Sequence, residues 1–311
     1  MSFRKNKFYR DGAFHHLYIK AKKGNVLFYK VEDYLFIYTL VGVLSQRHNV
    51  TVELFCIMFN HLHGCVKARA QDIFRAFLRD LSSLFTVGYN EEYHLDGQLL
   101  MPSGYAPKTS AKTHKTCLIY IANNPSTGRL VKSVLEYKWG LVPYFFSDHP
   151  FSDRLVKRNA RFAMRQALSI VDGCKHRGQY LNYAILGRIF KKLNSREKAQ
   201  IVDYIIVKYF FLDRRSFFSH FESEEKALLA MDSSAGSEHD VYDPWEDYSV
   251  YLEMIRVTLS SGLDHKRFRF HQMPEDQLNI LRRKLSKLPG ATQRHIGRFL
   301  HLDPDAYHVE P

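Results

Sequence analysis

Residues 16–85 switch between a strand-like and a helical hydrophobic period, and the order of those switches limits the folds open to the chain. Apolar alternation in His16-Leu17-Tyr18-Ile19-Lys20 marks a strand, and the apolar run Val31 to Gln46 predicts a buried helix. Thr51 to Met58 and Leu62 to Ala68 predict two strands around a short Phe59-Asn60-His61 turn. Gln71 to Phe85 returns to helical spacing at Ile73, Phe74, Phe77, Leu78 and Leu81. Strand, helix, strand, strand, helix predicts an α+β fold, a ferredoxin-like antiparallel sheet with helices on one face. A stretch rich in Gly, Pro and Lys, Tyr89 to Thr113, leads into a short helix over Lys115 to Asn123, which Pro125 and Gly128 are expected to end. There is no internal repeat.

Charge says what such a fold would meet. The 311 residues hold 45 Lys+Arg against 32 Asp+Glu, a net charge of +13, which points to a polyanion, with nucleic acid ahead of an anionic membrane surface. Hydrophobic residues at 45% and charged residues at 25% exclude a mostly disordered, fibrous or low-complexity chain. Met1 to Gly12 has no apolar core of a secretory signal, and the longest apolar stretch, Tyr34 to Leu44, is short of the roughly 18 residues a bilayer span needs. A soluble, cytoplasmic, nucleoid-associated protein is the expectation. Cys56, Cys65, Cys117 and Cys174 form no Cys-x-x-Cys pair, so they predict buried thiols rather than a disulfide framework or a zinc ribbon.

The charge is unevenly spread, and it divides the chain into an expected catalytic domain (1–150), a basic helical region (151–216), an acidic linker (217–248) and a helical carboxy-terminal domain (249–311). Region 151–216 has 15 basic and 5 acidic residues; 217–248 has 1 and 9, with Glu222, Glu224, Glu225 and the run Ser233-Ser234-Ala235-Gly236-Ser237. The acidic stretch reads as a solvated connection or as a decoy competing with nucleic acid. Arg154, Lys157, Arg158, Arg161 and Arg165 cover one side of a helix, where they could track phosphates or simply face water. From Gln277 to Leu302 the chain reads helix, Pro289-Gly290 turn, helix, with Thr292 as N-cap, Ile296, Phe299 and Leu300 inward and Gln293, Arg294 and Arg298 outward. That outline suits a DNA-binding helix-turn-helix, and equally a plain helical hairpin. Val250 to Leu259 is the helix expected to pack against it.

Two groups of residues carry potential chemistry. In His61-Leu62-His63 strand alternation sets both imidazoles on one face and Leu62 in the core, a site for a divalent metal or a phosphate. Such triplets also arise by chance on surfaces. In Tyr120-Ile121-Ala122-Asn123-Asn124-Pro125, Tyr120 and Asn124 are four apart and share a helix face, a hydroxyl beside an amide. The bland alternative is a core tyrosine and a C-terminal cap.

Taken together, the motifs resemble a known family. Met58-Phe59-Asn60 followed by His61-Leu62-His63, then Gly88-Tyr89-Asn90, Gly97-Gln98-Leu99 and Tyr120 through Pro125, is similar to the single-tyrosine transposases of the histidine-hydrophobe-histidine (HUH) nuclease superfamily, closest to the REP-associated branch. The resemblance covers residues 10–145. Phe59 stands where the family usually has Pro, and Gly64-Cys65 where it has an aliphatic pair. The resemblance implies Mg²⁺ or Mn²⁺ held by His61, His63 and Asn124, and Tyr120 as the nucleophile that leaves a 5′-phosphotyrosine and a free 3′-OH. Tyr89 and Tyr93 are rivals, without an amide four residues on. It implies as partner single-stranded DNA with hairpin ends, as assembly a homodimer, and no membrane. A DNA-binding regulator with a vestigial catalytic domain is the alternative, and an RNA-binding or RNA-processing protein is a third reading.

Overall fold

The computed structural model describes residues 8–210, 212–233, 246–263 and 267–302. Its centre is a four-stranded antiparallel sheet built from β1 (Phe14–Lys20), β2 (Thr51–Ile57), β3 (His61–Lys67) and β4 (Gly104–Lys108). The order across the sheet is β2-β3-β1-β4. Helix α1 (Val31–Arg47) joins β1 to β2, and α2 (Gln71–Tyr93) joins β3 to β4. That is the split βαβ connectivity of a ferredoxin-like unit, so the α+β expectation holds.

Helices on one face only was the wrong expectation. Ile19 of β1 and Leu62 of β3 point toward α1 and α2, where they line one small gap with Leu27, Phe28, Ile37, Leu81 and Phe85, His61 at the strand start also reaching it. The opposite face, with His16, His61 and His63, is covered by α3 (Ala111–Thr127), which packs on β2, β3 and β4. Two boundaries also moved. Helix α2 runs eight residues past Phe85 because Phe85, Tyr89 and Tyr93 continue its buried stripe at four-residue steps, and His94 ends it in the left-handed conformation, φ 56°. Strand β4 went unforeseen because Pro107 disfavours a strand; an edge strand tolerates it, and β4 pairs only with β1.

Pro125 does not end α3. The helix continues to Thr127, with Gly128 as C-cap donating to the Asn124 carbonyl and Leu130 N–H reaching the Pro125 carbonyl. Proline removes one helical hydrogen bond here without stopping the turn that carries Asn124.

Helix α1 is buried on nearly all sides because three layers meet on it. It contacts α2, β2 and a helical layer made of α4 (Phe162–His176), α5 (Tyr183–Phe190) and α6 (Ser195–Tyr209). A side chain at Gly42 would bring its Cβ 2.6 Å from the Tyr209 backbone oxygen, so α1 and α6 meet this closely only through glycine. The chain then passes through α7 (Arg214–Phe218) to α8 (Glu224–Ser233), which packs on α3. The acidic stretch is therefore partly a structural helix: Asn123 Nδ2 donates to the Met231 carbonyl, and Asp232 accepts from Val134 N–H at 2.7 Å. Residues 234–245 of that stretch, including most of the serine-rich run, lie outside the described residues.

The carboxy-terminal outline is correct in shape. Helices α10 (Glu275–Leu285) and α11 (Gln293–Leu300) pack on α9 (Ser249–Ser260), Thr292 caps α11, and Ile296, Phe299 and Leu300 are buried. It is not isolated from the catalytic motifs. Val26 N–H donates to the Arg298 carbonyl and Tyr29 Oη to the Phe299 carbonyl, so α11 docks on the loop before α1. Buried side chains from all four expected regions form one hydrophobic cluster.

Candidate active site

The sheet face under α3 gathers the predicted chemistry. His61 starts β3 opposite Lys20, and His63 lies opposite Tyr18, with Leu62 between them in the core beneath. The two imidazole rings meet edge to face with centroids 4.8 Å apart. Tyr120 reaches this pair from α3, its ring 5.3 Å from that of His63 and at 86° to it. Asn124, one turn later, hydrogen-bonds His61 and donates from Nδ2 to the Tyr120 carbonyl at 3.0 Å. All four residues named from the sequence are thus brought together by two elements.

Hydrogen bonds around the pair fix its chemistry. Asn60 Nδ2 donates to the Gly24 carbonyl, which turns Asn60 Oδ1 toward His61 Nδ1 at 2.6 Å. An amide oxygen can only accept, so His61 Nδ1 carries the hydrogen and Nε2 keeps the lone pair. Burial, and then the positive charge of Lys20, hold the His61 pKa well below its usual value, while the Asn124 hydrogen bond works in the opposite direction. A neutral imidazole with one nitrogen anchored is the form that binds metal. His63 Nδ1 lies 3.0 Å from His16 Nε2, which orients the second imidazole with either ring able to donate.

Three functional neighbours were missed from the sequence. His16 and Tyr18 sit on β1 across from His63, the Tyr18 ring 4.9 Å from that of His63 and 5.5 Å from that of His61. The alternation of His16, Tyr18 and Lys20 along β1 is the signal that sets them on the histidine face. Tyr248, 4% exposed, approaches from the start of α9: its hydroxyl donates to Asn60 Oδ1 at 3.3 Å and lies 3.5 Å from His61 Nδ1. No local sequence pattern tied it to residues 187 positions away. Gly128 makes room for it, since a Cβ there would fall 2.7 Å from the Tyr248 ring.

The other candidates fall elsewhere. Tyr89 and Tyr93 are buried on the α1 and α2 side, where Tyr93 donates to Asp33, so they are not rival nucleophiles at this site. Arg154, Lys157, Arg158 and Arg161 are exposed, and Arg154 and Arg161 line an open cleft of about 430 Å³ with Arg196, Glu197 and Gln200. They are not beside Tyr120: they precede or open α4, whose neighbours α5 and α6 pack on α1 rather than α3. Arg161 pairs with Glu197 at 2.5 Å, and Lys157 leans on the Tyr204 ring. Gln293 and Arg294 are exposed as expected. Arg298 is not: it is 9% exposed and paired with Glu246 at 2.5 Å, so it holds α11 to the rest of the chain instead of facing DNA.

The site is closed as well as assembled, with His61 at 1%, His63 at 0% and Tyr120 at 9% exposure. Among the described residues no helix is long and apolar enough to cross a membrane.

No protein-family model matches the chain, and neither does any curated protein. Among solved structures, the chain is similar to a REP-associated tyrosine transposase bound to a REP hairpin, with 14% identity over 46% of this chain and 84% of that one and a TM-score of 0.41.

Proposed function

We propose that this protein is a metal-dependent single-strand DNA endonuclease and strand transferase of the tyrosine transposase type. One observation carries the reading: a strand holding two buried imidazoles lies directly beneath a helix that presents a tyrosine and, one turn on, an amide. Tyr120 is the nucleophile. Its hydroxyl attacks phosphorus, the bond to the 3′ oxygen breaks, and the enzyme keeps the 5′ end as a phosphotyrosine while a 3′-OH is freed for the return step.

The donor set fits a divalent cation: two imidazoles whose other nitrogens are anchored by Asn60 and His16, plus an amide on the adjacent turn. With nitrogen prominent among the donors, Mn²⁺ suits it better than Mg²⁺, which prefers oxygen. Such a cation, bound by His61, His63 and Asn124, supplies Lewis-acid polarisation of the scissile phosphodiester. Asn60 and His16 are positioning residues that set which nitrogen of each imidazole faces the substrate.

DNA with hairpin ends is the proposed substrate, with the net charge of +13 as the feature that draws it and Arg154, Arg158, Gln293 and Arg294 as the exposed candidates to hold it. A second reading, a DNA-binding regulator with a silent catalytic domain, is favoured by the closure of the site. Incubation with single-stranded hairpin DNA and Mn²⁺, followed by denaturing electrophoresis and peptide mass mapping, separates the two. A covalent adduct on Tyr120 supports the enzyme. Absence of cleavage with intact DNA binding supports the regulator.

A further inference from the structure

Two to six residues along β3 and α3 from His63 and Tyr120, a second cluster lies on the α3-facing side of the sheet, joined by Glu53 of β2. Glu53 sits at an irregularity in β2, where the register to β3 shifts between Val52 and Leu54. The bulge turns its carboxylate toward Cys65 Sγ of β3, 3.6 Å from Oε2. His114 Nε2 of α3 meets the same oxygen at 2.5 Å, and His220 Nε2 meets Oε1 at 2.8 Å. Cys117, one turn on from His114, hydrogen-bonds Cys65. Both cysteines are fully buried, and the ligand atoms of Glu53, Cys65 and His114 all lie within 4.8 Å of one another.

We propose that Cys65, Cys117, His114 and Glu53 form a structural zinc site, with His220 holding the second carboxylate oxygen. The ligand chemistry argues for zinc: two thiols, an imidazole and a carboxylate are the soft-to-borderline set that Zn²⁺ takes in tetrahedral sites, whereas Mg²⁺ would reject the sulfurs. Geometry agrees. Bond lengths of about 2.0–2.3 Å put tetrahedral ligand atoms roughly 3.5 Å apart, so the Glu53, Cys65 and His114 atoms close on an ion by contracting about 1 Å, and Cys117 joins them through its contact with Cys65. Binding releases the thiol protons to solvent, and the Glu53 contacts of His114 become contacts to the ion.

The position gives the site a purpose. Cys65 follows His63 by two residues on β3, and Cys117 precedes Tyr120 by three on α3. An ion joining the two cysteines fixes the helix bearing the nucleophile against the strand bearing the histidine pair. Scattered over 53, 65, 114, 117 and 220, the ligands give no spacing motif to read.

Titration of reduced, chelator-stripped full-length protein with Co²⁺ tests this, because only a thiolate site gives a sulfur-to-cobalt charge-transfer band, which the His61 and His63 pair cannot produce. The expected result is one Co²⁺ per chain with that band, displacement by Zn²⁺, and a rise in thermal midpoint on Zn²⁺ addition. Cys65→Ser and Cys117→Ser should remove the band and the rise, while His61→Ala keeps both. A wild type with no thiolate band, or a band that survives both serine variants, overturns the site and leaves a hydrogen-bonded Glu53 cluster. Neither outcome bears on whether Tyr120 cuts DNA.

Discussion

Two histidine clusters lie side by side under α3, and they differ in what compensates their burial. Around His61 and His63 the hydrogen-bond partners are neutral, the Asn60 and Asn124 amides, His16 and the hydroxyl of Tyr248, and the nearby charge is the positive one of Lys20. Around His114 and His220 the partner is a carboxylate, Glu53, held below the usual range: burial would raise it, but hydrogen bonds and charge from the two histidines prevail. With no carboxylate among these hydrogen-bond partners, the imidazole lone pairs stay available, and under the proposed function the anion that the site receives is a phosphodiester. An anionic surround is already satisfied within the fold. The same helix thus carries one cluster suited to turnover and another suited to holding.

The largest expected effect lies in the first cluster. Tyr120→Phe keeps the ring that packs against His16 and His63 and removes only the hydroxyl, so cleavage and the covalent adduct should vanish while the thermal midpoint stays within a few degrees. Tyr18→Phe and Tyr248→Phe should leave the adduct in place. An adduct that persists in Tyr120→Phe and maps to Tyr18 would transfer the nucleophile from α3 to β1, since Tyr18 also lies against both imidazoles.

His61→Ala comes next, with most of the cleavage rate lost, on the order of a hundredfold or more, and the remainder insensitive to EDTA. Wild-type cleavage unaffected by EDTA would show that the histidine pair does not work through a metal. The second cluster should respond in stability instead. Glu53→Gln replaces a carboxylate that serves the buried His114 and the half-buried His220, and hydrogen bonds to a charged group contribute about 1.5–3 kcal/mol each when unfolding is measured in urea. A loss below about 1 kcal/mol would mean that the cluster is no better organised than a surface contact.

The sequence made the first cluster legible and hid the second, for reasons of range. His61 and His63 are joined by strand alternation, Tyr120 and Asn124 by helical spacing, and both rules act within four residues. That α3 would cover the face the histidines occupy was not written in either pattern. Only the sheet order, with β3 between β2 and β1, decides it. The Arg298 expectation failed in a related way. The position reads as outward on an isolated hairpin, but Glu246 and the loop before α1 close over that side of α11. Pro125 misled because a local stop signal was outweighed by helix contacts on both sides, from the sheet and from α8.

The smallest effect distinguishes the clusters by pH, in metal-free protein. A histidine whose folded pKa is depressed, as for His61, stays neutral in the native state while the unfolded chain takes up a proton. Stability from that difference is complete above the unfolded value of 6.5 and falls as pH drops beneath it, by at most about 1.4 kcal/mol per pH unit for one group. Glu53 is depressed from 4.5, so its contribution is present above 4.5 and is lost only as pH falls through its lower folded value. Both clusters weaken in acid, the His61 contribution from 6.5 downward and the Glu53 contribution only from 4.5 downward. Asp33, raised to about 6 by burial on the opposite face, works against the first of them: its protonated form is native, so its contribution declines as pH rises from 3.8 through 6. Urea unfolding across pH 3.5–7 should therefore show the histidine slope most clearly between 6 and 6.5, where His15 and His301, both lowered to about 4 by burial, add to His61. His61→Asn should reduce that slope without abolishing it, and Glu53→Gln should leave it unchanged and alter the profile only below pH 4.5. If Glu53→Gln instead reduces the slope between 6 and 6.5, the histidine pair is drawing on the Glu53 carboxylate, and the two sites are electrostatically one.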